Sequence, residues 1–535
     1  MYPEADRSLL SRYVTNTDCD VYAIHNLPEE VIAVIFAYVS RSPRSFRDNL
    51  LELVRGGSLD LSQVPAESLP DSHREAREKA RRFHEKWVVG YGHSSVAEHA
   101  VAHVGVERIS RLASAELELC NPYLSFTEYS QRYQRPQPGG YVVPEELNAP
   151  GLASLRQEFT AYCDFAFETY QRLQAGLLDH LLAQEPEVAG EKPAARRVRL
   201  EKLSFEDARY ALPLAVHTNL GVTGNGRALR DGLVRLLASP SPEVRSLAAA
   251  LRTEVSRVLP ALLRHAEPTP YWQEQLAALQ VPAAWREVAA ANMSGVSGVA
   301  GPAGIADDVE VAGAAVGARP GEARLLAYTG RQAGSNAALQ AMRRVLAAWL
   351  VRRGVSWEEA QARLDRLSGE AVTDLYGQAA GSFGEYDQPS EELKQVRYEA
   401  AFTISEANWH QLLRHSRKID FYPGSPETGR GYTVPPRLAA AGLTGPLEEA
   451  VERAERLVNR LKDAVPGAAP YAVTNAHRRY VLARFDLWEW VHLSRLRCKP
   501  EAQWDIRETM WSLMDQIRAV HGPLLDPLHL PSRRS

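Results

Sequence analysis

The sequence is short of the features that assign a chain quickly. Its four cysteines, Cys19, Cys120, Cys163 and Cys498, are scattered and form no CxxC pair. That argues against a disulfide framework and a cysteine zinc site, and fits a reducing compartment. No metal is expected. The longest apolar run, Val31 to Val39, falls far short of the roughly 20 residues that span a membrane. The opening MYPEADRSLL carries early acids and no apolar core, so no signal peptide is expected and the cytoplasm is the expected compartment. Neither charge sign dominates. The formal net charge is −4, which supplies no global basic field for nucleic acid. Arg far outnumbers Lys. A GC-rich genome or many anion-binding forks would each do this, and composition does not separate them.

What is present is a long chain of ordinary globular composition, 535 residues with 45% hydrophobic and 24% charged. That length is too great for one core and suggests two to four domains. Residues 20–55 read as a strand or turn and then a helix from near Pro28, with Val31, Ile32, Ile35 and Val39 on one face. DSHREAREKARRFHEKW, within 70–90, reads as a charged surface helix. At Gly92 the pattern breaks. GHSSVAEHA offers a tight turn, with His93 to Ser95 capping a helix and Glu98 completing a capping box with Ser95. Residues 101–109 alternate like a strand, and 110–121 read as a helix. SFTEYSQRY then sets Glu128, Ser130 and Arg132 at i, i+2 and i+4. On an extended segment these share one side, and an acid, a hydroxyl and a guanidinium suit an anionic, oxygen-rich ligand. A plain surface salt bridge would use the same residues.

Residues 150–182 and 240–265 read as long helices. Between them Asn225 precedes a helix start, with Arg227 in the first turn after a Gly-rich bend. That is a possible anion corner, although turn chemistry alone accounts for the Gly and Asn. NMSGVSGVAGPAGIADDVEVAGAAVGARPG, from Asn292, shifts to Gly, Ala and Val and reads as a linker or surface excursion. It suggests a division into 1–290, 291–322 and 323–535.

The second part repeats the order of the first. Helical residues 335–365 lead to EYDQPSEEL, then the strand VRYEAAFTIS and the helix EANWHQLLRHS, where Gln411, Arg414 and His415 share a face. GYTVPPRL at 431–438 matches GYVVPEEL at 140–147. The period of roughly 300 residues marks a duplicated domain, not a solenoid.

GHxSxxEH, strand, helix, SxxExSxRY, Arg-x-x-Leu-Pro and Asn-x-Arg, in that order, resemble the flavin-dependent thymidylate synthases. QLLRHS resembles that family's Gln-x-x-Arg-His-Arg helix end, and LRCKPEAQWDIRE its terminal Leu-Arg run. The resemblance covers both halves, and each departs from it differently. The first half has Leu117 at the Gln position and Cys120, Asn121 and Pro122 at Arg-His-Arg, but keeps Glu128, Ser130 and Arg132. The second keeps Gln411, Arg414 and His415, with Ser416 for the last Arg, and replaces the Ser-x-Arg loop with DFYPGSPETGR. It also keeps Arg479 and Arg497, which align with two further family arginines. The first half offers Arg209 for one of these and Leu236 for the other. The losses are complementary.

The resemblance implies an α+β chain carrying two copies of the thymidylate-synthase-complementing fold. It implies FAD, with methylenetetrahydrofolate as carbon donor and NADPH as reductant, for methylation of dUMP to dTMP without a cysteine nucleophile. One composite site per pair of unlike halves follows, in a homodimer that mimics the family's tetramer. Arg497 would lie over the uracil. Glu128, Ser130, Arg132, Gln411, Arg414 and Arg479 would bind substrate. Ser95, Glu128, Asn225, Arg227, Arg414, His415 and His492 would hold flavin. The bland alternatives are helix-end histidines offsetting a dipole and surface ion pairs. At the level of function, the alternatives are an inactive nucleotide- or flavin-binding homologue with a regulatory or scaffolding role, or flavin-dependent methylation of another substrate.

Overall fold

The computed structural model describes residues 2–27, 29–39, 45–55, 94–260, 262–263, 266–278, 321–331, 336–380 and 387–533. The expected helix within 70–90, the residues Gly92 and His93, and the Gly/Ala/Val stretch up to residue 320 lie outside these. Contacts divide the chain into two compact units. The first is Met1–Glu107 with Glu116–Glu128 and Thr218–Ala300, and the second is Arg108–Ala115 with Tyr129–His217 and Gly301–Ser535. The units do not follow the two halves of the sequence. Residues 129–217 of the first half pack with the second half.

In the first unit, helices Glu4–Leu10, Glu29–Val39 and Phe46–Arg55 close a small core of Leu10, Val14, Val31, Ile35 and Leu50. Val31 and Ile35, one helical turn apart, are both buried, as their spacing predicts. The unit also carries most of a sheet in the order β1-β3-β2, from β1 (Val101–Ser110), β2 (Ser125–Glu128) and β3 (His217–Asn225), the end of β1 from Arg108 and His217 of β3 belonging to the second unit. β2 pairs antiparallel with β3, with Glu128 opposite Leu220. The extended segment therefore stops at Glu128. Residues Ser130–Gln134 turn instead, the amides of Tyr133 and Gln134 both donating to the Ser130 carbonyl. Glu128, Ser130 and Arg132 do not share one side of a strand.

The second unit has the sheet β4-β5-β7-β6, from β4 (Glu322–Tyr328), β5 (Arg397–Ser405), β6 (Asp420–Pro423) and β7 (Arg478–Asp486). Tyr398, Phe402 and Ile404 of β5 and Val481, Ala483 and Phe485 of β7 are buried. The helix Trp504–Leu525 packs on the edge strand β4. Its Gln516 Oε1 accepts from the Leu325 amide at 2.8 Å, and its Nε2 donates to the Ala323 carbonyl at 2.7 Å. Edge backbone groups are thus satisfied by a side chain and not left open to a foreign strand. The helices Ala153–Gln184 and Thr444–Ala464 pack together over a core that includes Leu173, Leu177, Leu447 and Val451.

Duplication is visible in the strand–helix joints. β1 ends at Ser110, whose Oγ accepts from the Ala113 amide at 3.0 Å, and β5 ends at Ser405, whose Oγ accepts from Asn408 at 3.0 Å. β3 ends at Asn225, capping Ala228, and β7 ends at Asp486, capping Glu489. A short polar residue at each joint satisfies the first free amides of the helix that follows. The chain is α+β, with two such sheets among the described residues.

Behind β5 lies a buried carboxylate. Asp505 accepts from Tyr210 Oη at 2.8 Å, Ser405 Oγ at 2.5 Å, Asn408 Nδ2 at 3.0 Å and the Gly321 amide at 3.0 Å. Four donors satisfy a charge that would otherwise be costly to bury. Gly321 must be glycine there, because a Cβ would sit 2.5 Å from Ile404 Cγ2.

Candidate functional site

The site grows from the end of one short helix. After the Ser405 cap, helix Glu406–Leu412 is buried along its whole length and tightens into a 3-10 turn, Leu413–His415. This presents Gln411, Arg414 and His415 together, as their spacing predicts. Gln411 Nε2 donates to the Ala407 carbonyl and to Gln503 Oε1, each at 3.1 Å, while its Oε1 is buried without a partner. The helix Leu487–Arg497 brings Arg497 to the same point. Arg497 Nε donates to His415 Nε2 at 3.0 Å and Nη2 to the Gln411 carbonyl at 3.1 Å. These bonds go to neutral acceptors. Burial, then Arg132 and Arg414, pull the Arg497 guanidinium down to about 10, so it stays charged at neutral pH.

Residues 129–217 supply the facing side. Ser130 Oγ accepts from the Arg132 amide at 3.3 Å. Arg132 Nε donates to Glu206 Oε2 at 2.7 Å, and its Nη2 to the Glu501 carbonyl at 3.2 Å. Glu206 is itself held by Arg437 Nη2 at 2.9 Å. Arg437 also grips Asp207 through two bonds, at 2.7 and 3.0 Å, and Trp504 Nε1 donates to Asp207 at 2.8 Å. Burial pushes the Asp207 carboxyl up, and Arg437 pulls it back. Behind Arg132 lies Arg209, whose Nε donates to the Glu206 carbonyl at 3.1 Å. Its Nη2 and the Nε2 of Gln131 are buried without acceptors. Burial lowers Arg209 to about 10. The result is a group of guanidiniums in which Arg132 opposes the charge of Arg209, Arg132 and Arg414 oppose that of Arg497, and Arg209 Nη2 is left without an acceptor. An anionic ligand would relieve both costs.

Arg479 lies in the same unit, but its guanidinium is committed. Nε pairs with Glu406 Oε1 at 2.9 Å, and Nη1 donates to the Gly424 carbonyl at 3.2 Å. The strand–helix joints also align Arg479 with Thr218 of β3, not with Arg209. His410 is buried among the charges of Arg111, Arg479 and Arg209 and is held neutral, first by burial.

His492 is exposed on the helix Leu487–Arg497, its ring 5.9 Å from that of His415. Burial holds His415 neutral, down to about 3, and also lowers His492. Glu489, on the same helix, is 2% exposed at its side chain, with Oε1 3.4 Å from His415 Nδ1. Burial lifts its carboxyl to about 7. All four cysteines are free, and burial pushes Cys120 and Cys498 to about 12. Neither is an activated thiol.

The remaining expected residues lie in the first unit. Asn225 spends its side chain on the helix cap. Arg227 pairs with Glu98 at 2.5 Å. Glu128 accepts from Thr218 Oγ1 at 2.9 Å. Ser95 falls in the 3-10 turn Ser94–Glu98. Sequence reasoning did not single out Gln131, Glu206 or Glu489, and it matched Arg209 to the wrong partner. Gln131 sits inside the Ser-x-Arg run and Arg209 opens Arg-x-x-Leu-Pro, so both were within reach. Nothing local marks Glu206 or Glu489.

Comparison with known proteins agrees with the duplication. The family model described as thymidylate synthase complementing protein matches residues 44–261 and again 324–522. UPF0159 protein Ta1429 of Thermoplasma acidophilum is 25% identical over 498 residues, 84% of this chain and 89% of its own length. A UPF0159 protein of Chlamydia muridarum is 32% identical over 276 residues, so the match spans 50% of each chain. The flavin-dependent thymidylate synthase of Mycobacterium sp. strain KMS is 34% identical over 185 residues, 34% of this chain and 69% of its own. The chain therefore belongs to the thymidylate synthase complementing protein family, with that fold present twice.

Proposed function

We propose that the second unit binds dUMP and that the protein is a flavin-dependent thymidylate synthase, forming dTMP by reductive methylation. One observation carries this reading. Residues kept by different halves, Gln131, Arg132 and Arg209 from one and Gln411, Arg414 and Arg497 from the other, belong to one unit, and among them Gln131 Nε2, Arg209 Nη2 and Gln411 Oε1 are buried with no partner. Ser130, Arg132 and Arg209 supply hydroxyl and guanidinium donors for a phosphate. Gln411 offers an unmet amide oxygen for the pyrimidine N3–H. Arg497 remains protonated and stabilises negative charge that develops on the ring.

The donor set also suits a flavin. Arg414, His415 and His492 would hold it from this unit. Ser95, Glu128, Asn225 and Arg227 remain candidates through the resemblance alone. FAD would supply the hydride chemistry that side chains lack, with NADPH as reductant and methylenetetrahydrofolate as carbon donor. Around it, the arginines orient the nucleotide and the neutral His415 holds Arg497. A homodimer acting as a pseudo-tetramer, working in the cytoplasm, completes the proposal.

A second reading is a flavin- or nucleotide-binding protein without turnover. Ser416, standing where the family has its last arginine, favours it. Purified protein supplied with FAD, NADPH, methylenetetrahydrofolate and dUMP decides between them. Formation of dTMP that Arg497→Ala abolishes supports the synthase. Binding of dUMP without dTMP supports the second reading.

A further inference from the structure

His415 is met on both sides by residues of one helix. From the last turn of Leu487–Arg497, Arg497 Nε donates to His415 Nε2 at 3.0 Å. From the first turn, Glu489 Oε1 lies 3.4 Å from His415 Nδ1. A neutral imidazole whose Nε2 accepts a hydrogen bond must carry its proton on Nδ1. That is the nitrogen facing the carboxylate. Both side chains are buried, at 5% and 2% exposure, so water does not compete for either contact.

We propose that Glu489 is a positioning residue that acts through His415 on Arg497. Its carboxyl oxygen Oε1 selects the Nδ1–H tautomer, which leaves Nε2 as the acceptor that aims the guanidinium. A carboxylate behind an imidazole sets ring tautomer and orientation in the same way elsewhere. The proposal rests on the reading that Arg497 meets the pyrimidine. Glu489 Oε2 has no hydrogen-bond partner. Lys418 Nζ stands 4.0 Å from it and also lies 3.6 Å over the Trp488 ring. Asp486 and His492 are the other titratable groups acting on Glu489 from its own helix.

A cation is the competing occupant, since ligand atoms of His415, Glu489 and His492 lie within 4.8 Å of one another. A metal on Nδ1 would drive the ring proton to Nε2, against the Arg497 N–H. The two readings exclude each other.

The test is the His415 tautomer, read by long-range proton–nitrogen NMR of full-length protein labelled with 15N-histidine. The His415 signals are assigned by their loss in H415Q. The expected pattern is a pyrrole-type Nδ1 and a pyridine-type Nε2. E489Q keeps it, because the amide oxygen still accepts. E489L, equally compact, shifts the ring toward the Nε2–H form. Uridylate binding should weaken about tenfold in E489L and less than about threefold in E489Q. An Nε2–H tautomer in the wild type, or an unchanged one in E489L, overturns the proposal. So does stoichiometric Zn(II) moving the His415 signals. If the wild-type tautomer is as expected and dUMP does not bind, the uridylate reading fails, and the Glu489–His415–Arg497 arrangement stands without it.

Discussion

Glu489→Gln should stabilise the protein at alkaline pH and leave it nearly unchanged in acid. The carboxyl is 2% exposed. Burial lifts it from 4.5 to about 7, His492 and Lys418 pull it down, and Asp486 pushes it up. The folded chain thus holds this proton more tightly than the unfolded chain. Between about pH 4.5 and 7 the folded state binds more protons, so stability falls as pH rises, and the loss is complete above about 7. A rise of roughly 2.5 units, at about 1.4 kcal/mol each, sets the cost of ionising Glu489 at about 3.5 kcal/mol. An amide has no such cost. For a unit of roughly 300 residues, with an unfolding entropy of about 2.1 cal/mol/K per residue, this is a gain in Tm of about 5 °C near pH 8. His415 titrates in part of the same window and touches Glu489, so the gain is read near pH 8, above that window. Thermal unfolding of E489Q and wild type at about pH 5 and pH 8 is the assay. A difference that does not change with pH, or that is larger at pH 5, refutes the reasoning.

His415 should show the opposite sign. Its folded value of about 3 lies below the ordinary 6.5, so the unfolded chain takes up the proton first. Stability should fall as pH drops from about 6.5 toward 3, and H415Q should flatten that slope in urea titrations across the range. Asp207→Asn takes from Arg437 the carboxylate it grips through two bonds and leaves it Glu206 alone, and should cost about 1–3 kcal/mol, read as a lower denaturant midpoint. Arg132→Ala removes a charged donor and should weaken uridylate binding about 10- to 100-fold by calorimetry, with Arg132→Lys recovering only part because it cannot keep the fork. Unchanged binding in Arg132→Ala would remove the turn Ser130–Arg132 from the site.

The sequence carried the rhythm of the fold well. β1, β5 and the helices that follow them were readable because alternation gives way to helical spacing at a capping serine. The Asn225 cap was readable for the same reason. The side-to-side reading of Glu128, Ser130 and Arg132 failed because β2 ends at Glu128, where its pairing with Leu220 stops, and the chain then turns on the Ser130 carbonyl. No local propensity distinguishes that turn from a further strand residue. Arg479 is expected among the substrate residues from its alignment, and its Nε is paired with the buried Glu406. Glu206 and Glu489 act only through partners far away in the chain, and single-sequence patterns do not hold such contacts. The division at 291–322 rested on composition. Contacts gather residues 129–217 with the second half, a long-range choice that composition does not register.

The most direct measurement is the visible spectrum of the protein with FAD during titration with dUMP. A flavin band that shifts and saturates is the expected result. Arg132→Ala and Arg414→Ala, from different halves of the sequence, should each abolish the shift. A protein that takes up no FAD, or a shift that survives both substitutions, would contradict the proposed function.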